Sequence, residues 1–312
     1  MASRRRAGYS FAMTPPPTTS GTPPAEYPVD EALARRLLAA QFPDLADLPI
    51  AFAASGWDNA MFRLGDALAL RLPRRPIGAR LIAVEQRWLP ILAPRLPLAT
   101  PAPLRLGRPL DDYPWPWSVT PWIDGETSDL ARPDAGQGET LAAFFNALHV
   151  PAPDDAPVNP YRGVPLAHRA ETFDQRHAAL AGRTAPLDPR VLAIWAEALS
   201  APDDAAPTWI HGDPHPRNML VRDGRLVAAI DWGDMARGDR ASDLAAVWML
   251  LPDRSARDRA LAACDGVSPA TWRRARGWAA LYGVMLLDAG LADDPRMTAI
   301  ARATFVRLME GP

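Results

Sequence analysis

Two short apolar, β-prone runs, residues 219–222 and 226–230, meet at Asp223-Gly224, and much of what the chain can become follows from that junction. An Asp-Gly pair accepts the positive backbone angles of a tight two-residue turn, so the segment predicts a β-hairpin. The hairpin folds the chain back so that Asp231 lies beside Asn218, although thirteen positions separate them. Just upstream, Trp209-Ile-His-Gly-Asp-Pro-His-Pro-Arg-Asn places His211 and Asp213 in one short loop that ends at Asn218.

Carboxylate, amide and carboxylate in this order suit phosphoryl transfer. That reaction needs one carboxylate to orient and deprotonate a hydroxyl, then hard oxygens to hold magnesium. Asp213 is the candidate base. Asn218 and Asp231 are the candidate metal ligands, because magnesium keeps several waters and takes further oxygens from substrate phosphates. His211 and His215 have the i, i+4 spacing of a zinc pair, but that reading requires a helix, and Pro214 and Pro216 forbid one. A loop-bracing role suits His211 better, and a structural role suits His215.

His211-Gly-Asp-x-His-x-x-Asn, Ile230-Asp-Trp and Gly238-Asp-Arg-Ala-Ser-Asp-Leu-Ala together resemble the aminoglycoside and macrolide phosphotransferase family. The resemblance runs from about residue 50 to about residue 251 and weakens through the C-terminal helices. It implies an α+β, bilobal protein-kinase-like fold, with a small antiparallel-sheet N-lobe and a larger, mostly helical C-lobe. It also implies a nucleoside-triphosphate-dependent O-phosphotransferase that uses Mg2+ and ATP or GTP. The acceptor would be a hydroxyl of a small molecule, an aminoglycoside- or macrolide-like antibiotic. By the same resemblance Asp243 braces the catalytic loop by accepting backbone N–H bonds. As a residue it reads equally as a first-turn acid favoured by the helix macrodipole.

Arg71 closes the third strand, where the family carries its phosphate-binding basic residue, and Glu85 in the following helix would be its ion-pair partner. Arg74 and Arg75 are substitutes for that phosphate contact. Gly56 lies in the turn that would cover the nucleotide, although Ala54-Ser-Gly-Trp-Asp-Asn lacks the full glycine-rich pattern. The segment Pro121-Trp-Ile-Asp-Gly-Glu would be the hinge. An adenine there needs a backbone acceptor and, two residues on, a backbone donor. Pro121 offers a C=O and Ile123 an N–H.

The chain contains no lysine; all 34 of its Lys-plus-Arg residues are arginine. A Walker A loop requires Gly-Lys-Ser/Thr, so P-loop kinases are excluded, as are lysine Schiff-base enzymes. A formal net charge of −2 gives no electrostatic footprint for nucleic acid or an anionic membrane. No apolar run approaches the ~20 residues of a membrane span. The single cysteine, Cys264, excludes an internal disulfide and is compatible with a cytoplasmic setting.

The expected organisation is a proline- and threonine-rich disordered leader over 1–28, an N-lobe over 29–120, a hinge over 121–126 and a helical C-lobe over 127–312. Helices are expected over 30–41, 78–92, 140–149, 166–180, 189–199, 240–251, 255–264, 269–288 and 295–309. N-lobe strands are expected over 50–55, 60–64, 67–72, 104–106 and 117–120. Residues 151–165 read as a proline-rich surface loop near the substrate. A polycationic acceptor would want carboxylates, for which Asp234, Asp239, Asp288, Asp293 and Asp294 are candidates. A macrolide would want an apolar trough, for which Trp195, Trp248, Trp272 and Trp278 are candidates, core packing being their alternative. The competing functional readings are a kinase of a metabolite hydroxyl (choline, sugar or homoserine type) and a catalytically silent nucleotide-binding pseudokinase.

Overall fold

The structure, a computed structural model, describes residues 24–311. The expected leader lies outside the described residues as far as residue 23. Its last residues run against the small sheet, with the Glu26 and Tyr27 N–H groups donating to Arg74 O and the Tyr27 ring edge-on to Tyr113.

Helix α1 (Glu31–Gln41) starts where Asp30 accepts the Leu33 N–H, so a side-chain oxygen satisfies one of the orphan donors of the first turn. Its buried face, Leu33, Leu37 and Leu38, packs with residues of a five-stranded antiparallel sheet. The strands are β1 (Ile50–Ser55), β2 (Asn59–Leu64), β3 (Leu68–Pro73), β4 (Arg105–Gly107) and β5 (Trp117–Pro121), in spatial order β1-β2-β3-β5-β4. Between β3 and β4 runs α2 (Pro76–Leu92), which starts at a proline in its first turn, where a missing N–H costs nothing.

The short β6 (Glu126–Thr127) leads into the larger, helical part: α3 (Gln137–Leu148), α4 (Ala170–Ala179) and α5 (Pro189–Ser200). Strand β7 (Thr208–Ile210) enters the loop that carries His211 and Asp213. The predicted hairpin follows as β8 (Met219–Arg222) and β9 (Arg225–Ala229), with Asp223 at φ 52° and Gly224 at φ 73° in the turn. Both central residues are left-handed, as a type I′ turn requires. β6 adds to the free edge of β8, and β10 (Ala236–Gly238) pairs with β7. Then come α6 (Ala241–Leu244), α7 (Ala246–Leu250), α8 (Arg254–Ala263), α9 (Pro269–Asp293) and α10 (Pro295–Met309).

Two expectations need correcting. The helix expected over 240–251 is two pieces, because the Trp248 N–H bonds Ala245 O three residues back and tightens the chain there. The helix expected over 166–180 begins as a 3-10 turn over Leu166–Arg169. Residues 151–165 are a surface loop, exposed or half-buried along most of its length, as expected. They are also stitched to the site strands by a Pro151–Thr208 bridge and by bonds from Arg237 N to Pro157 O and from Asp239 N to Gly163 O. Trp248 and Trp278 are fully buried and Trp195 stacks on Phe173 at 4.2 Å, so these indoles build the core rather than a trough.

Candidate active site

The β8–β9 hairpin does what its sequence requires. Met219 pairs with Ala229, and the Ile230 N–H donates to Asn218 O at 2.9 Å, which brings the end of β9 to the end of the catalytic loop. Asp231, the next residue, sits at φ 58°, a left-handed conformation that Asp tolerates better than most side chains. Left-handed backbone at a non-glycine residue is a local cost that clusters at functional sites. The Asp231 carboxylate is 58% exposed, unlike its buried neighbours on β9. Asn218 donates its amide nitrogen to Asp213 O at 2.9 Å, and its amide oxygen accepts no hydrogen bond among the described residues. One free amide oxygen and one outward carboxylate, brought together by the hairpin, form a hard-oxygen pair of the kind magnesium takes.

The catalytic loop is held from behind. Asp243, fully buried, accepts the His211 N–H at 2.7 Å and the Gly212 N–H at 2.9 Å, and His149 Nε2 lies 3.2 Å from it. The His211 ring bridges forward: its Nε2 lies 3.0 Å from Ile230 O and its Nδ1 accepts the Asp213 N–H at 3.2 Å. That ring therefore ties the loop carrying Asp213 to the strand carrying Asp231. Gly212 has φ 87°, and a Cβ there would meet Asp234 O at 2.4 Å, so only glycine fits the turn. Tyr282 Oη, from α9, donates to Gly212 O at 2.7 Å.

Asp213 faces Arg162 at 3.2 Å and His215 Nε2 at 3.5 Å. Burial alone would raise its pKa, but the Arg162 guanidinium, with His215 and His211, outweighs burial and holds the carboxyl below the usual range. Asp213 is therefore ionised at neutral pH. Asp234 goes the other way: burial pushes it up, and Asp213 adds to the push.

Across from this loop, Arg71 Nη1 reaches both Glu85 oxygens at 2.8 and 2.7 Å, while Nη2 reaches Asp231 Oδ1 at 3.1 Å. One guanidinium thus joins β3, α2 and the end of β9. Burial pushes Glu85 up to about 7, against the pull of Arg71. Arg74 and Arg75, the alternative phosphate ligands, are occupied: Arg74 donates to Gly56 O at 2.8 Å and Arg75 to Asp58 Oδ1 at 3.0 Å. They pin the 56–59 turn to the start of α2.

At the end of β5 the Trp122 N–H donates to Ala67 O at 2.8 Å, so residues 67 and 122 form the bonded pair of the ladder. In an antiparallel ladder the next pair, Leu68 and Pro121, is then the non-bonded one. The missing N–H of Pro121 costs no ladder bond, and the Pro121 C=O faces away from β3. It lies beyond the end of β4, which pairs only as far as Val119.

Sequence reasoning missed Arg162, Tyr282, His149 and the Asn159–Asp234 contact at 2.7 Å. No spacing rule marks an arginine among prolines or a tyrosine inside an apolar helix. The only available signal for Arg162 was the position of its loop. Among the described residues, no group of three His, Cys, Asp or Glu side chains is arranged to hold a metal ion.

A family model described as phosphotransferase enzyme family matches residues 49–278. Among solved structures, the GDP and kanamycin complex of APH(2")-IIia matches with a TM-score of 0.65 and 18% identity, over 90% of this chain and 100% of that one. Macrolide 2'-phosphotransferase MphH from Brachybacterium faecium, as apoenzyme, matches at 0.56 with 24% identity, over 87% and 97% of the two chains. ADP-bound aminoglycoside phosphotransferase APH(2'')-Ib matches at 0.54 with 18% identity, over 90% and 99%. No curated protein sequence matches the chain. At these identities the structural likeness is one of fold, and that fold is the α+β, protein-kinase-like one the sequence motifs implied.

Proposed function

The chain belongs to the phosphotransferase enzyme family, and from that premise we propose that it moves the γ-phosphate of a magnesium-bound nucleoside triphosphate onto a small-molecule hydroxyl at Asp213. The observation that carries the reading is the Arg71 fork, which joins Glu85 to Asp231 across the space between the sheet and the catalytic loop. A cation fixed there lends positive charge to the place where phosphate oxygens would lie, and the carboxylate it touches is one of two hard-oxygen ligands. On this reading residues 29–120 form the nucleotide lobe, 121–126 the hinge and 127–312 the lobe that carries the catalytic loop and the acceptor.

Asn218 and Asp231 would hold magnesium, which when bound neutralises charge on the transferring phosphoryl group. The chain's own residues do the rest. Arg71 orients the phosphates, and Glu85 keeps Arg71 extended across the cleft. The Pro121 C=O and Ile123 N–H receive the base, and Gly56 lies in the turn over the nucleotide. Asp213, ionised and ordered by Arg162, accepts a hydrogen bond from the attacking hydroxyl. Its depressed pKa makes it a weak base, which suits a loose transition state in which the proton leaves late. Structural neighbours titled as GDP and ADP complexes support a nucleotide co-substrate and leave both purines as candidates.

For the acceptor, the carboxylates that would receive a polycation are already engaged. Asp239 is paired with Arg274 at 2.8 Å, Asp288 with Arg176 at 2.6 Å, and Asp294 with Arg217 at 2.5 Å. Asp234 accepts from Asn159. Of the five candidates, only Asp293 stands without an ion pair or hydrogen bond among the described residues. That favours the alternative acceptor class, a metabolite-type hydroxyl, over an aminoglycoside. Phosphate transfer from ATP and GTP to a panel of polycationic, neutral and anionic alcohols tests the function. Turnover that disappears in Asp213→Ala while nucleotide binding persists supports it. Absence of nucleotide binding in the wild type overturns it.

A further inference from the structure

Among the described residues four arginines are buried: Arg71, Arg169, Arg257 and Arg274. Three have acceptors. Arg71 holds Glu85 and Asp231; Arg257 holds Leu251 O, Pro252 O and Glu310; Arg274 holds Asp239 and Asp204. Arg169 has none. It is only 7% exposed, its Nε is buried without a partner, and no hydrogen bond or ion pair among the described residues engages its guanidinium. It lies over the Tyr161 ring at 5.3 Å. The next residue along, Arg162, lies over the Tyr282 ring at 5.1 Å and reaches Asp213. Arg162 Nε is likewise buried without a partner. The nearest carboxylate of α9, Asp288, is taken by Arg176 and Arg183.

A buried, uncompensated charge is costly, and native structures satisfy such groups unless a ligand does so. Burial depresses Arg169 first, and the two charges that add to the depression, Arg162 and Arg176, are both cations. Arg162 is balanced by Asp213, which leaves Arg169 as the cation of this pair without a carboxylate. A guanidinium fork matches carboxylate or phosphate oxygens in geometry as well as in charge.

We propose that Arg169, with Arg162 beside it, forms a subsite that receives a carboxylate or phosphate group carried by the acceptor alcohol. This deepens the phosphotransferase reading and rests on it for the identity of the ligand as acceptor. The bound anion supplies the counter-charge that Arg169 lacks, and it anchors the acceptor with its hydroxyl at Asp213.

Calorimetric titration of the full chain with glycerate, glycerol 3-phosphate, inorganic phosphate and neutral glycerol tests the subsite without any nucleotide. The expected result is that the two hydroxylated anions bind and glycerol does not, with Arg169→Met weakening the anions by about tenfold or more and Arg169→Lys retaining part of the affinity. Because Arg169 makes no hydrogen bond or ion pair among the described residues and methionine can still pack on Tyr161, Arg169→Met should leave the melting temperature nearly unchanged or raise it. The proposal is overturned by equal binding of glycerol, by tighter binding of inorganic phosphate than of the hydroxylated anions, or by an Arg169→Met protein that melts earlier and binds anions as the wild type does. Magnesium-nucleotide binding, recorded on the same samples, reports on the phosphotransferase reading alone. Its absence would count against that reading, while the anion preference is still read directly.

Discussion

Two buried arginines, Arg71 beside Asp231 and Arg169 beside Tyr161, are solved differently. Arg71 is 5% exposed and has two carboxylate partners; Arg169 is 7% exposed and has none. A compensated arginine is a fixed part, which holds strand, helix and loop in one arrangement whether or not ligand is present. An uncompensated one stores an unmet demand that a ligand can answer. Equal burial therefore does not mean equal role, and the partner inventory is what separates positioning from reception.

The largest expected effect lies between the two arginines. Asp213→Asn keeps the shape of the loop and removes the proton acceptor, so turnover should fall by roughly 10²–10⁴-fold, with nucleotide affinity nearly unchanged. Steady-state kinetics beside a nucleotide titration reads both. A variant that loses turnover and nucleotide together would return Asp213 to a structural role.

Next comes the direct contrast. Arg71→Met leaves Glu85 buried and unpaired, which should cost about 3–5 kcal/mol. Arg169→Met deletes a charge that no carboxylate offsets and gives up only its contact with the Tyr161 ring, so it should cost about 1 kcal/mol or less. Paired denaturant titrations measure both, and equal losses would erase the distinction. Arg71→Lys keeps a charge but gives up the fork, so stability should recover in part while the bridge to Asp231 weakens.

The smallest effect is a pH slope. Glu85 has its folded pKa raised from 4.5 to about 7 by burial. A raised acid favours the fold fully below its unfolded value and loses that contribution as pH rises through the folded one. Melting curves from pH 4.5 to 7 should therefore show the wild type declining relative to Glu85→Gln. Arg169→Met should not alter the slope, because arginine does not titrate there. Parallel curves for wild type and Glu85→Gln would contradict the assignment.

The two arginines also differ in how far the sequence disclosed them. Arg71 and Glu85 sit fourteen positions apart at a strand end and in the next helix, and it is the family resemblance that implies their pairing. Asn218 and Asp231 are joined by one hairpin whose turn chemistry is explicit in Asp223-Gly224. Short-range rules reach that far. Arg162 meets Asp213 across 51 positions and Tyr282 meets Gly212 across 70, through a loop with no periodic pattern. Such contacts depend on the path of the whole chain. The sequence did suggest that 151–165 lies near the substrate, but not that the loop is tied to the site strands, because backbone bonds such as Asp239 N to Gly163 O leave no mark on residue type. The break at Ala245 was equally hidden, because an all-apolar helical run looks the same whether its bonds span three residues or four.

The most direct test of the central claim, that Asn218 and Asp231, held in place by Arg71, receive a metal-bound triphosphate, is a calorimetric titration of ATP and GTP with and without magnesium, on wild type and on Asp231→Asn. The account predicts binding of at least one nucleotide that strengthens with magnesium in the wild type and loses that magnesium dependence, with about tenfold or more of its affinity, in the variant. Nucleotide affinity indifferent to magnesium, or unchanged by Asp231→Asn, would contradict it.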